Sequence, residues 1–412
     1  MVARQELITS EQARRTLKRV ELDKVSRADL IAMDLGQRVF GQDEAVLAVA
    51  KQVALAEAGL QDAGRPLGAF FELGPTGVGK TELARALAFY LTGNETRLLI
   101  INCAEFTEEH DAKRLIGSPP SYIGSSEVPP ISHDWLHQEA EDKRVKSVIV
   151  FDEVEKAHPT LHKLFLSMLE EGRFSARKGS KGFEDLMFDA SYIFFTSNVG
   201  SDEISTAQRG KTLGFHTGAE VKKAQVRDAA IDALTKQFKP EFLGRVGDDH
   251  ILVFNPLTDT EYEKIFHKFL GLKNEQMHTL NPDAVSISTT QEFKAWILSG
   301  LKGVYGGREV REGLQNELIS RAAEIIPILD AGSMLVADYM DGEVVFYTDK
   351  AEEVEEAVIP LLKAPRIRTR RRRRKRRSVA DTALDGTIEA LEMTESVLKD
   401  IRDRREKPQK TS

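Results

Sequence analysis

The sequence predicts an α/β chain: a parallel sheet with helices on both faces, followed by a small, mostly α-helical C-terminal domain with a β-hairpin. Three observations predict it. Short apolar runs recur, namely FFEL after Gly68, RLLIIN from Arg97, SVIVFD from Ser147, SYIFFTSN from Ser191 and HILVF from His250, and such runs suit strands buried on both faces. Helical stretches alternate with them, which implies crossover helices between parallel strands. After Asn255-Pro256 the pattern becomes more helical and closes with MLVADYM, Asp341-Gly342 and EVVFY, a hairpin on a type I′ turn.

The elements divide the chain into four expected parts. Residues 1–34 form a helical arm, because Ser10–Phe40 carries apolar positions three and four apart after a Thr9 or Ser10 N-cap and stops before Gly41. Residues 35–255 carry the α/β layer and 256–350 the smaller domain. Residues 351–412 form a tail in which an acidic stretch, a basic run and an amphipathic segment with Leu384, Ile388, Leu391, Leu398 and Ile401 follow one another.

Composition excludes several classes. With 41% hydrophobic and 30% charged residues over 412 positions, neither a membrane protein nor a wholly disordered chain fits. No run approaches the roughly 18 apolar residues of a membrane helix. Cys103 is the single cysteine, and Met1–Arg15 lacks the apolar core of a signal peptide, so a reducing, cytoplasmic compartment is expected. The net charge of −7 hides an asymmetry: residues 366–377 (RIRTRRRRRKRR) are almost entirely basic against an acidic remainder.

The segment GPTGVGKT (Gly74, Pro75, Thr76, Gly77, Val78, Gly79, Lys80, Thr81) fits GxxxxGK[ST] and lies between an apolar strand and the helical TELARALAFYL. That order has a physical reason. Glycines let backbone N–H groups approach phosphate oxygens, and the helix N-terminus adds partial positive charge. Lys80 then reaches the β- and γ-phosphates of a nucleoside triphosphate and Thr81 ligates Mg²⁺. SVIVFDEVE places Asp152 and Glu153 at the end of another strand, where ligands sit in such sheets. Asp152 suits the metal, and Glu153, expected to point the other way along the strand, suits polarising a water. A third strand ends in Thr196, Ser197 and Asn198, with Asn198 placed for the γ-phosphate or the water.

Taken in order, VFGQDEAV from Val39, GPTGVGKTELA, FDEVEKAHP, TSNVGS, FKPEFLGR and YGGREVRE resemble the Clp family of AAA+ ATPases, and within it the second nucleotide-binding ring of ClpA, ClpB and ClpC. The resemblance runs from about Val39 to Tyr347. It implies an AAA+ P-loop NTPase fold, ATP and Mg²⁺ as ligands, and a homo-hexameric ring that threads protein clients through a central pore. By the same resemblance Val39 and Phe40 line the adenine pocket, Asn198 is the first sensor, Arg245 is the finger that reaches a neighbour's γ-phosphate, and Arg308 is the second sensor. A trans arginine of this kind contributes roughly 10³ to 10⁵ in rate.

The resemblance also assigns two segments that contact partners, and charge singles out a third. GSPPSYIGSSE, residues 117–127, falls where Clp unfoldases carry a pore loop, so Tyr122 and Ile123 would grip a client; Ser121 replaces the loop's first glycine. Leu213, Gly214 and Phe215 match a loop that docks on the ClpP peptidase ring, with a loop folded on its own domain as the alternative. The basic run 366–377 is either a solvated segment or a contact for nucleic acid, an acidic protein or an anionic membrane surface. A second reading of the whole chain follows from that run: an ATP switch recruited to nucleic acid or a scaffold by its tail. No GxSxG or HExxH is present, so no peptidase is expected in the chain. The usual Clp N-terminal domain and first ring are also missing from this sequence, which points recruitment to residues 1–35 and the tail.

Overall fold

A computed structural model describes residues 25–116, 129–140, 143–177, 182–204 and 219–349. Its centre is a five-stranded sheet built from β1 (Gly68–Leu73), β2 (Leu98–Asn102), β5 (Ser147–Asp152), β8 (Ser191–Ser197) and β9 (Ile251–Val253). The spatial order is β2-β5-β8-β1-β9, and every pair is parallel. These are the five runs expected as strands.

Alternate residues of these strands feed two apolar layers, the period-two outcome for a sheet covered on both faces. Phe71, Leu73, Ile149, Phe151, Ile193 and Phe195 face one layer with Phe165, Phe238 and Phe242, from the helices Pro159–Glu170 and Pro240–Val246 and the end of Ala219–Gln237. Phe70, Val148, Val150, Tyr192 and Phe194 face the other, covered by Arg27–Gly36, Asp43–Glu57 and Lys80–Thr92. Aromatic rings bridge neighbouring strands, with Phe70 and Phe194 centroids 5.0 Å apart, and join strand to helix end, with Phe71 set edge-on to Phe238 at 5.1 Å. Two small antiparallel pairs flank this core: β3 (Glu139–Ala140) with β4 (Lys143–Arg144), and β6 (Arg173–Arg177) with β7 (Phe183–Met187).

A third apolar cluster forms a C-terminal lobe around Phe266, Ile287, Phe293, Val310, Leu314 and Leu335. Its helix Asp259–Leu280 starts at a capping box formed by Thr258 and Glu261, which satisfies two backbone donors reciprocally. The expected hairpin is there, β11 (Met334–Met340) with β12 (Glu343–Thr348), and Asp341 and Gly342 both have positive φ, as a type I′ turn requires. One strand was not expected: β10 (Ser286–Thr289) joins β11 in parallel and makes a three-stranded sheet. Four residues with a single large apolar side chain carry too little pattern to announce a strand.

The expected helix over Ser10–Phe40 is corrected in its described portion. The helix there begins after Ser26, whose hydroxyl accepts from Asp29 N while the Asp29 carboxylate accepts from Ser26 N, and it ends at Gly36. Ser26 supplies a stronger start signal than the apolar spacing on either side of it.

Candidate active site

Because the sheet is parallel, the C-terminal ends of β1, β5 and β8 open on one edge, and the sequence-predicted residues gather there. Leaving β1, the chain turns through Gly74, Gly77 and Gly79, all with positive φ, before the helix Lys80–Thr92 begins. Gly74 has no room for a side chain, since a Cβ would lie 2.6 Å from the Phe254 carbonyl oxygen. Lys80 is buried, and its ammonium donates to Gly74 O at 2.6 Å, Pro75 O at 2.9 Å and Asn198 Oδ1 at 2.9 Å. Burial lowers the Lys80 pKa to about 8, against the opposing pull of Glu72, Asp152 and Glu155. Thr76 Oγ1 also reaches Asn198 Oδ1, at 3.5 Å.

The acidic side of the site is denser than the DE pair suggested. Asp152 closes β5 and accepts a short hydrogen bond from the Thr196 hydroxyl on β8. Glu153 does not continue the strand as expected: it sits in the left-handed region at φ 56°, and its amide donates to Thr196 Oγ1 at 3.3 Å. That backbone is strained for a residue with a Cβ and recurs at functional sites. Its carboxylate pairs with Lys156 Nζ at 2.8 Å. Glu155, passed over in the sequence, accepts from Asn198 N at 3.3 Å and keeps its second oxygen buried without a partner. Carboxylates facing a buried ammonium and a glycine turn with free approach to backbone donors are the donor set of a magnesium–triphosphate site, so the residues present fit that group. Thr81, in the first turn after Lys80, is half-buried.

On the other side of the loop, Val39 is buried and lies 3.6 Å from the position a Gly79 Cβ would take. Phe40 lies beneath Lys268, whose ammonium is 5.9 Å from the ring centroid and donates to Arg38 O and Glu82 Oε1, both at 2.7 Å. Sequence reasoning missed Gln42. Its buried amide donates to Val78 O at 3.2 Å and Asn255 O at 2.9 Å and accepts from Asn255 N at 2.9 Å, tying the phosphate loop to the exit of β9. A glutamine at the N-cap of the helix Asp43–Glu57, where Ser, Thr, Asp or Asn is usual, was the available signal.

The two arginines occupy different surroundings. Arg308 stands in the first turn of the helix Gly307–Leu314 in the C-terminal lobe, close enough to depress the Lys80 pKa, and the neighbouring Gly307 N donates to Gly77 O at 2.9 Å. Arg245 ends the helix Pro240–Val246 and pairs with Glu170 Oε1 at 2.6 Å. Tyr122 and Ile123, expected in a pore loop, Leu213, Gly214 and Phe215, expected to dock a peptidase, and the basic run 366–377 lie outside the described residues. Cys103 is buried, and desolvation together with Asp152, Glu155 and Glu153 pushes its thiol pKa up, away from nucleophile chemistry. His158 caps the helix Pro159–Glu170 through Nδ1. Among the described residues no helix is long and apolar enough to cross a membrane.

A phosphate loop, paired strand-end carboxylates and a polar sensor strand on this strand order define a P-loop ATPase of the AAA+ class. Residues 65–248 match the family described as AAA domain (Cdc48 subfamily). The chain is 37% identical over 337 residues to the negative regulator of genetic competence ClpC/MecB of Bacillus subtilis, covering 81% of this chain and 39% of that one. It is 34% identical over 363 residues to the chloroplastic chaperone protein ClpC2 of Arabidopsis thaliana, covering 84% and 36%. A closed-state reconstruction of Hsp104 with ATPγS and FITC casein superposes with a TM-score of 0.63 at 28% identity, over 78% of this chain and 52% of that one. The chain belongs to the Clp family of AAA+ ATPases. It spans well under half the length of the curated relatives it matches.

Proposed function

We propose that this chain is an ATP-driven protein-remodelling motor that works as a ring, most simply a hexamer, and pulls protein clients through a central pore. The observation that carries the reading is the three-way grip on Lys80 by Gly74, Pro75 and Asn198 at the open ends of β1 and β8, which stations the ammonium where a γ-phosphate would replace those carbonyls. The chaperone names of the relatives and the casein-bound Hsp104 neighbour support the remodelling half.

In this mechanism Val39 and Phe40 hold the adenine, and the amides from Gly74 to Thr81 with Lys80 hold the phosphates. Thr81 and Asp152 would hold Mg²⁺, which would supply positive charge to neutralise the phosphates. Glu153 takes the proton of the attacking water; to do so it must leave Lys156, a partly exposed pair that costs little to break. Asn198 orients the water, Arg308 reads the nucleotide from the C-terminal lobe, and Arg245 leaves Glu170 to act in the adjoining subunit. Tyr122 and Ile123 grip the client, Leu213–Phe215 offers a contact for a separate peptidase, and the cytoplasm is the compartment.

Glu153→Gln tests the chemistry: it is expected to bind ATP without turning it over, and undiminished hydrolysis would reject Glu153 as the base. Tyr122→Ala tests the threading: ATPase activity is expected to persist while unfolding of a tagged model protein stops. Unchanged unfolding rejects the pore. The concentrated charge of residues 366–377 favours one second reading, a nucleic-acid-recruited switch, which requires a steeply salt-dependent affinity that vanishes when those residues are deleted.

A further inference from the structure

One carboxylate in the C-terminal lobe has an unusual set of partners. Glu309 follows Arg308 in the first turn of the helix Gly307–Leu314. Its Oε2 accepts from Lys302 N at 2.5 Å and Gly303 N at 3.2 Å, and its Oε1 from Val304 N at 2.8 Å and Tyr305 N at 2.7 Å. Four successive backbone donors thus converge on one side chain, the geometry of an anion nest filled from within. Val304 and Tyr305 are 59% and 56% exposed, so little apolar burial orders this segment. Its order comes from the carboxylate. Burial alone would raise the Glu309 pKa, but the four amides outweigh it and hold the carboxyl below its usual range.

The segment so held is the one that meets the phosphate loop. A Cβ at Gly77 would fall 1.9 Å from Tyr305 O, and one at Gly306 2.6 Å from Gly77 O, while Gly307 N donates to Gly77 O. Glycine is set against glycine here, with no flexible side chain to absorb a shift of either loop. Arg308 follows directly, with its own amide donating to Tyr305 O at 3.3 Å.

We propose that Glu309 is a positioning residue for nucleotide: by gathering the amides of 302–305 it fixes the approach of this segment to Gly77 and the placement of Arg308 over the phosphate site. The inference rests on Arg308 touching nucleotide, as proposed above. Glu309 itself touches no reacting atom and works through its neighbour.

The experiment is a double-mutant cycle on the full chain, with binding of a fluorescent ATP analogue as the readout and amide exchange of residues 302–305 followed in the same samples. Glu309→Gln replaces one acceptor oxygen with an amide NH₂ donor that opposes two backbone N–H groups, and is expected to weaken binding about tenfold while exchange at Val304 and Tyr305 accelerates. Arg308→Ala is expected to weaken binding as much or more, and the double variant to bind no worse than Arg308→Ala alone. Trp296, stacked on Tyr339 at 4.4 Å, reports whether the lobe has stayed folded. If Glu309→Gln unfolds it, Glu309→Asp keeps the charge but cannot span all four donors, and about a threefold loss is expected. Losses that multiply in the double variant, or unchanged binding despite faster exchange, overturn the role of Glu309. No loss from Arg308→Ala overturns the nucleotide contact itself and this inference with it.

Discussion

Glu72 offers the sharpest test of the electrostatics beneath the phosphate loop. It lies on β1 between Thr196 of β8 and Leu252 of β9, fully buried, and neither carboxylate oxygen has a hydrogen-bond partner. Burial raises its pKa well above the carboxylate value; Lys80 pulls the other way and Asp152 adds to the rise. The folded protein therefore keeps the proton that the unfolded chain releases above a pKa of about 4.3. The sign follows: a carboxyl whose folded pKa is raised is harmless below the unfolded pKa and increasingly costly as pH rises toward the folded one. Between the two pKa values that cost grows by about 1.36 kcal/mol for each pH unit, so it is larger at pH 7 than at pH 5. Glu72→Leu, similar in volume, removes that cost. It is expected to raise the urea midpoint, with a gain that grows between pH 5 and pH 7 at up to about 1.4 kcal/mol per pH unit, read from Trp135 fluorescence in a Trp296→Phe background. Glu72→Gln should give less relief, because an unpartnered amide stays buried. A Leu variant less stable than wild type, or a gain independent of pH, would show that Glu72 is ionised and paired with Lys80, refuting the reasoning.

Three further expectations follow from the same geometry. Gly77→Ala drives a Cβ into Tyr305 O at a residue with φ +78°, so calorimetry should find ATP affinity reduced more than about tenfold, while a wild-type affinity would mean the two loops do not meet in solution. Arg245→Ala should leave nucleotide binding intact and cut turnover roughly 10³-fold, whereas Glu170→Gln, which removes one half-exposed pair, should shift the melting temperature by no more than about 3 °C; loss of ATP binding in Arg245→Ala would place that side chain in its own subunit's site. Cys103 should resist maleimide in the folded protein and label fully in urea, and rapid labelling without denaturant would contradict its burial.

Five strands, the glycine turn after β1 and the Asp341-Gly342 turn were legible in the sequence, because each depends on interactions within a few residues: alternation along a strand, glycine at a tight bend, a helix following at once. β10 was not legible, since its place is set by β11, far along the chain, and its own four residues express little preference. Glu153 was misread as geometry: β5 ends at Asp152, and Glu153 turns into the left-handed region with its amide donating to Thr196 on the neighbouring strand, a partner 43 residues away.

By itself the sequence determined the strands of the central sheet and the glycine turn after β1, since glycine spacing and apolar periodicity are local consequences of backbone sterics and burial. Tertiary structure alone decided which distant groups share that site. Gln42 clasps Val78 and Asn255, Arg245 rests on Glu170, Tyr305 abuts Gly77, and Glu72 is closed off from water between two strands. Such contacts join residues tens to hundreds of positions apart, and only the packed sheet and its lobe bring them within hydrogen-bond range.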